Sequence, residues 1–314
     1  MLELQTHPDR GRFYVAKQRI NAGTEVFHSQ ACAKIADQGS KGKICSACLS
    51  APEHPISPPS LRPALEISCP HCMIAYCSSH CQDIDREVHR ITCDFWKGHD
   101  KLLQDYNLLD TYTRDYIELL IRIIVRSSRE ENDFSLVWNM CDNQNVWPLD
   151  RFKSFESAVR VLDTFVSHLG NFKFPQTQSF DMIKSNIIRI TGLAEPSVQF
   201  CACYLLVLKE ECNSFGLYTY AYTGPQNERQ GYGIALYPTA VFFNHSCLPT
   251  IKHVTEKDAS MKFYALVTLE KGDEATICYV SPQLDVESRA KILMDWFLFR
   301  CECVRCVGDR HKLE

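Results

Sequence analysis

Eight candidate metal ligands fall in four close pairs between residues 45 and 93: Cys45-x2-Cys48, Cys69-x2-Cys72, Cys77-x3-Cys81 and His89-x3-Cys93. A gap of two or three residues lets both members of a pair face one ion. Zinc closes a structural site with four Cys or His ligands, so seven cysteines and one histidine make two zinc sites. Four evenly interrupted pairs predict an interleaved arrangement, with pairs one and three sharing one metal and pairs two and four the other. A redox C-x-x-C would need one such pair, and unpaired buried thiols would rarely fall into this spacing. His71 and His80 break the pair spacing and read as surface residues or as groups that support the ligands.

A third constellation lies near the end of the chain. Cys301-x-Cys303-x2-Cys306 supplies three thiols, and a closed zinc site needs a fourth ligand. Lys312 does not ligate as an ammonium, His311 lies in the tail, and Cys247 is a candidate. Its ligation would pin the end of the chain against the loop Asn244-His245-Ser246-Cys247. About three zinc ions per chain follow.

These sites are positioned by elements of three textures. Residues 1–31 read as short strands, with Asn21-Ala22-Gly23 as a turn. Pro52, Pro55, Pro58, Pro59 and Pro63 mark a loop. Residues 100–208 read as mostly helical. Leu102, Leu103, Tyr106, Leu109, Tyr116, Leu119, Leu120, Ile123 and Ile124 form one stripe, and Phe152, Phe155, Val159, Leu162, Val166 and Leu169 another. Such stripes are core. Beyond Cys212, strands are expected over 218–222, 231–236, 261–266 and 274–280, and a helix over 285–297. The six cysteines outside the metal sites, Cys32, Cys141, Cys201, Cys203, Cys212 and Cys278, read as small buried hydrophobes.

Composition narrows the function. Lys+Arg is 34 against Asp+Glu 38, and residues 69–101 carry five acidic and four basic side chains. Neither balance suits binding DNA by bulk charge, so no direct DNA binding is expected. No run of 18 apolar residues exists, and the start, MLELQTHPDRGR, lacks the apolar stretch of a secretion signal. No membrane association is expected. An odd count of 17 cysteines points to a reducing compartment, cytoplasmic or nuclear.

The run C-x2-C-x4-C-x3-C-x7-H-x3-C from Cys69 to Cys93 resembles a MYND zinc finger, its first Cys pair set back by the proline-rich stretch. The order NHSC, then Gly272-Asp273-Glu274-Ala275-Thr276-Ile277-Cys278-Tyr279, then C-x-C-x2-C, resembles a SET domain with its post-SET zinc motif. Arg10-Gly11, Phe13, Ala16 and Ala22-Gly23-Thr24-Glu25-Val26-Phe27 are similar to the opening strands of that domain, and Cys212-Asn213-Ser214-Phe215 and 231–238 to its middle strands. The split order resembles the SET-and-MYND family of protein-lysine methyltransferases across the whole chain, strongest at 69–93 and 231–306. Where the family usually has a glycine before Arg-Gly, Asp9 stands here. Larger members continue into a helical C-terminal domain, and this chain, ending at Glu314, reads as a short member without it.

The resemblance implies an α+β fold. Small sheets of the SET type, with a pseudoknot-like C-terminal crossing, are split by an inserted finger and a helical segment and closed by the post-SET zinc. The expected domains are 1–44 (N-terminal SET), 45–93 (finger), 94–208 (helical insert), 209–284 (core SET) and 285–314 (post-SET). It further implies methyl transfer from S-adenosylmethionine to a lysine of a histone tail or other protein, by a monomer. Tyr279 is the expected catalytic residue. Arg10, Asn213, Asn244, His245, Tyr279 and Phe299 are the expected cofactor-binding residues, and Phe297 a wall of the lysine channel. Proline-rich peptides are implied partners of the finger. The competing reading is a zinc-stapled interaction module with little catalysis.

Overall fold

The computed structural model describes residues 1–8, 10–50, 65, 67–108, 110–128, 131–175, 177, 179–218, 231–256 and 258–312. Asp9, Leu109, the proline-rich stretch 51–64 and most of the expected strand over 218–222 lie outside the described residues. Contacts divide the chain into two units, Met1–Gln30 with Thr239–Glu256 and Ser260–Glu314, and Ala31–Pro238 with Lys257–Ala259.

The first unit is built from small sheets. Strand Leu2–His7 pairs antiparallel with Gly11–Ala16, in register from Leu2↔Ala16 to His7↔Gly11. Glu25–Ser29, Met261–Ala265 and Ile251–Thr255 form a three-stranded antiparallel sheet. The expected turn before Glu25 is present, and Gly23 takes φ +83, a conformation glycine adopts without strain. Alternation puts Phe27 and Phe263 on one face of the sheet. There they pack with Tyr14 and Phe243, the Phe243 and Phe263 rings stacked 4.5 Å apart. The expected strand over 274–280 is reduced to Thr276–Ile277, which pairs parallel with Asn244–His245. Before it the chain bonds elsewhere: Thr250 Oγ1 accepts from Thr276 N at 2.9 Å and donates to Glu274 O at 3.0 Å, and Ala275 N donates to Tyr14 O at 2.9 Å.

The second unit carries the helices and the finger. The first apolar stripe forms two helices, Leu102–Asp105 and Thr111–Ser127. Asn107 turns left-handed between them (φ +55), and Asp110 caps the second by accepting from Thr113 N at 2.7 Å. The second stripe likewise divides into Leu149–Ser154 and Glu156–Leu169. Thr111–Ser127 is buried on almost every face, packing against Glu156–Leu169 and strand Ala33–Ala36. Strand Gly231–Leu236 lies between Ala33–Ala36 and Ser214–Tyr218. A Cβ at Gly233 would lie 2.2 Å from Ile35 O, so this close pairing requires glycine there. No described helix is long and apolar enough to cross a membrane.

Two buried polar features of this unit bear on its stability. Arg122 donates to both oxygens of Asp85 (2.6 and 3.2 Å), and Tyr76 O–H donates to the same carboxylate at 2.9 Å. All three are buried, so the triad ties the finger to the Thr111–Ser127 helix. Asp85→Ala strands a guanidinium and is expected to lower unfolding free energy by about 3–5 kcal/mol, against ~1 kcal/mol for Tyr76→Phe, in denaturant titrations.

Glu210 is also buried, and its Oε2 finds no partner among the described residues. Burial first, and the neighbouring Glu211 next, push its pKa from 4.5 to about 8. The unfolded chain loses this proton near its ordinary pKa, while the folded protein keeps it to the higher one. Stability is therefore full below the unfolded pKa and is lost as pH rises through the folded pKa. Glu210→Gln is expected to leave the melting temperature at pH 5 nearly unchanged and to raise it by roughly 5 °C at pH 8. Equal shifts at both pH values would contradict this.

Candidate active site and metal clusters

Twelve ligand residues gather into three groups: Cys45, Cys48, Cys77 and Cys81; Cys69, Cys72, His89 and Cys93; and Cys247, Cys301, Cys303 and Cys306. In each group the ligand atoms lie within 4.8 Å of one another. Zinc bonded to sulfur at about 2.3 Å sets tetrahedral edges of about 3.8 Å. The sulfurs of Cys48 and Cys77 are 3.8 Å apart, Cys77 and Cys81 3.6 Å, Cys69 and Cys93 3.9 Å, and Cys306 and Cys247 3.4 Å. Donor type, number and spacing therefore fit three closed zinc sites. In the finger, pair one joins pair three and pair two joins pair four.

Local structure explains these placements. The short pairing of Ile67–Ser68 with Ala75–Tyr76 closes one knuckle. The helix Ser79–Gly98, capped by Ser78 accepting from Cys81 N at 3.2 Å, then carries Cys81, His89 and Cys93. His89 faces Cys72 Sγ through Nε2 at 3.2 Å, and burial lowers its pKa, favouring the neutral ligand form. His71 and His80 are exposed and outside both groups. Cys201 and Cys203 are buried as expected, but Cys141 is exposed. It follows the end of a helix, and its Sγ donates to Asn143 Oδ1 at 2.9 Å, so it is not part of the core.

The candidate active site lies in the first unit. Parallel pairing of Asn244–His245 with Thr276–Ile277, continued by Ser246 N donating to Ile277 O at 2.9 Å, brings Tyr279 to the NHSC segment. The Tyr279 hydroxyl donates to Phe243 O at 2.7 Å, and its backbone N–H donates to His245 Nδ1 at 3.0 Å. A ring nitrogen that accepts leaves the proton of neutral His245 on Nε2, which faces Cys247 Sγ at 3.1 Å. Burial, with Arg289 adding to it, pushes His245 down to about 4, so the ring is neutral at pH 7. It is a rigid link between Tyr279 and the terminal metal cluster.

Aromatic rings surround the phenol. Phe297 lies 4.8 Å from the Tyr279 ring, His245 5.2 Å and Phe299 6.4 Å. Leu298 makes this possible: it takes the left-handed conformation (φ +62) at the end of helix Val286–Phe297, turning the chain between the two phenylalanines. Asn244 Nδ2 donates to Glu274 Oε1 at 3.0 Å, and Glu274 also pairs with Arg10, whose guanidinium sits 4.5 Å over Phe13. Arg10, Asn244, His245, Tyr279, Phe297 and Phe299 thus belong to one unit. Asn213 belongs to the other. It is buried, and its amide donates to Cys141 O at 2.8 Å and Lys209 O at 2.6 Å.

Three groups escape a reading of the sequence. Glu274 was visible only as one letter of the GDE run, yet it bridges Arg10 and Asn244. Phe243 acts through its carbonyl, which no side-chain pattern reports. Arg289 is a charged residue on a helix, and nothing in its spacing shows that it is buried.

A SET domain family model matches residues 11–280. The chain is 25% identical over 328 residues to a SET and MYND domain-containing protein of Dictyostelium discoideum, covering 98% of this chain and 60% of that one. It is 27% identical over 308 residues to the histone-lysine N-methyltransferase SMYD3 of Mus musculus (97% and 61% covered). It is 24% identical over 312 residues to the N-lysine methyltransferase SMYD2 of the same species (97% and 60% covered). The chain spans about three fifths of the length of these relatives.

Proposed function

This chain belongs to the SET-domain family, in the branch whose SET domain is split by a MYND finger, and from that premise we propose that it is a protein-lysine N-methyltransferase using S-adenosylmethionine. The observation that carries the reading is Tyr279 anchored through its hydroxyl to Phe243 O and through its backbone to His245. The names of the SMYD2 and SMYD3 relatives agree with it.

The donor supplies an activated methyl group, and the lysine nitrogen forms its bond to carbon as the carbon–sulfur bond breaks. This chain must accept a lysine, make it neutral and hold it in line. Tyr279, Phe297 and Phe299 offer aromatic faces to an incoming ammonium. Their apolar surroundings then lower the lysine pKa, because burial disfavours the charged form. A phenol that donates to a carbonyl presents its oxygen as an acceptor to whatever else approaches, here the methyl hydrogens and the amine. Asn244 and His245 would bind the donor through side-chain and backbone groups, Phe299 would lie against its adenine, and Arg10 would act through Glu274. The finger would dock a proline-rich peptide.

Incubation with methyl-labelled S-adenosylmethionine and a mixed protein substrate, followed by hydrolysis to amino acids, tests the reading. Label in methyl-lysine is the expected result. Donor binding without label in any lysine would favour the interaction module.

A further inference from the structure

Arg289 is placed as a charge belonging to a metal site. It lies on helix Val286–Phe297 with its side chain 1% exposed. Nη1 donates to Leu284 O at 2.5 Å. Nη2 donates to Asp309 Oδ2 at 2.8 Å and to Cys306 Sγ at 3.7 Å. Nε finds no partner among the described residues. A buried guanidinium seldom adds stability over a hydrophobic side chain of similar size, so its presence calls for a specific opposite charge. One carboxylate, itself 31% exposed, neutralises the arginine only on the solvent side.

The opposite charge on the inner side is the cluster Cys247, Cys301, Cys303 and Cys306. Zinc with four thiolates carries a net charge of two minus, and this cluster is largely buried. A hydrogen bond from a cation to one of its sulfurs draws off charge, which weakens that thiolate as a nucleophile and as a base. Arg305 flanks the same site, donating to Cys247 O at 3.3 Å and to Pro282 O at 2.7 Å, while its Nε lies 3.6 Å from Asp309. Asp309 is thus fixed between two arginines and orients the inner one. Resting on the zinc reading of this cluster, we propose that Arg289, oriented by Asp309, is the positioning cation of the terminal metal site, donating to Cys306 and slowing loss of the ion. Cys247 closes the NHSC segment, so the same arginine steadies the loop that carries His245.

Zinc release from the full-length metal-loaded protein, followed with a chromogenic chelator, tests this in Arg289→Met, Arg289→Lys and Asp309→Asn. One of about three ions is expected to leave roughly 10-fold faster or more in Arg289→Met and Asp309→Asn, with partial recovery in Arg289→Lys. Cobalt substitution supplies a signature that packing alone would not move. Losing the hydrogen bond raises the sulfur lone pairs in energy, so the sulfur-to-cobalt charge-transfer band shifts to longer wavelength. Asp309→Asn keeps the test decisive if Arg289→Met does not fold, because Asp309 is partly exposed and the change keeps its size. Wild-type release rates with an unmoved band overturn the proposal and leave the zinc site intact. Only two ions in the wild type overturn the zinc reading and the proposal together.

Discussion

Tyr279→Phe is expected to reduce single-turnover methyl transfer by roughly 100-fold or more while donor affinity stays within about threefold of wild type. The variant removes one oxygen and keeps the ring. That ring packs on Phe297, His245 and Phe299, so the walls of the site persist. The backbone N–H of residue 279 still donates to His245 Nδ1, which preserves the segment on which the donor would rest. Only the hydroxyl now held at Phe243 O is lost, and with it the acceptor proposed to orient the amine and the methyl hydrogens. Rapid-quench measurement of labelled lysine, beside equilibrium titration of donor, separates the two effects. Equal transfer rates in both proteins would take the phenol out of the chemistry. Lost donor binding would make it a packing residue.

Cys247→Ser is expected to lower metal content from about three zinc ions to two and to weaken donor binding by at least about tenfold. One ion at this site would gather sulfurs from residue 247 and from 301–306, segments otherwise joined by Arg305 donating to Cys247 O and by a small apolar cluster. Phe299 lies two residues before Cys301, and His245 two before Cys247, so the ion fixes both sides of the aromatic slot. Structural zinc contributes about 10–16 kcal/mol of apparent binding energy, and loss of its ligand set frees the terminal segment. The finger should keep its two ions, since its eight ligands lie in the other unit. Elemental analysis of both proteins checks the count. Three ions in Cys247→Ser would remove Cys247 from the ligand set.

Much of this site can be read from spacing, because metal ligation is a local rule. Close Cys pairs report which residues share an ion, and three thiols in six residues imply a fourth elsewhere. What spacing hides is geometry decided by single residues. The 20-residue helix Ser79–Gly98 escapes an apolar stripe search because its buried positions include Asp85, Thr92 and two cysteines. Its inner face meets Arg122 and the metal-ligand clusters as well as hydrocarbon, through Val88 and Phe95. The long stripe over 102–124 hides a break at Asn107, since its hydrophobic period continues across the turn. The strand at 276–277 is short because the residues before it bond to Tyr14 and to the Thr250 hydroxyl, partners that no propensity reports. Arg289 reads as an ordinary surface charge until its three partners are seen. The shared cause is that a buried polar group is legible only with its partner, and these partners lie far away in sequence.

Native mass spectrometry of the wild-type chain, with S-adenosylmethionine and then with added chelator, tests the central claim most directly. The account predicts a species carrying about three zinc ions and one donor molecule, and loss of the donor in step with removal of the terminal ion. A chain that keeps all its zinc and takes up no donor, or that holds the donor equally well after the terminal ion is gone, would contradict it.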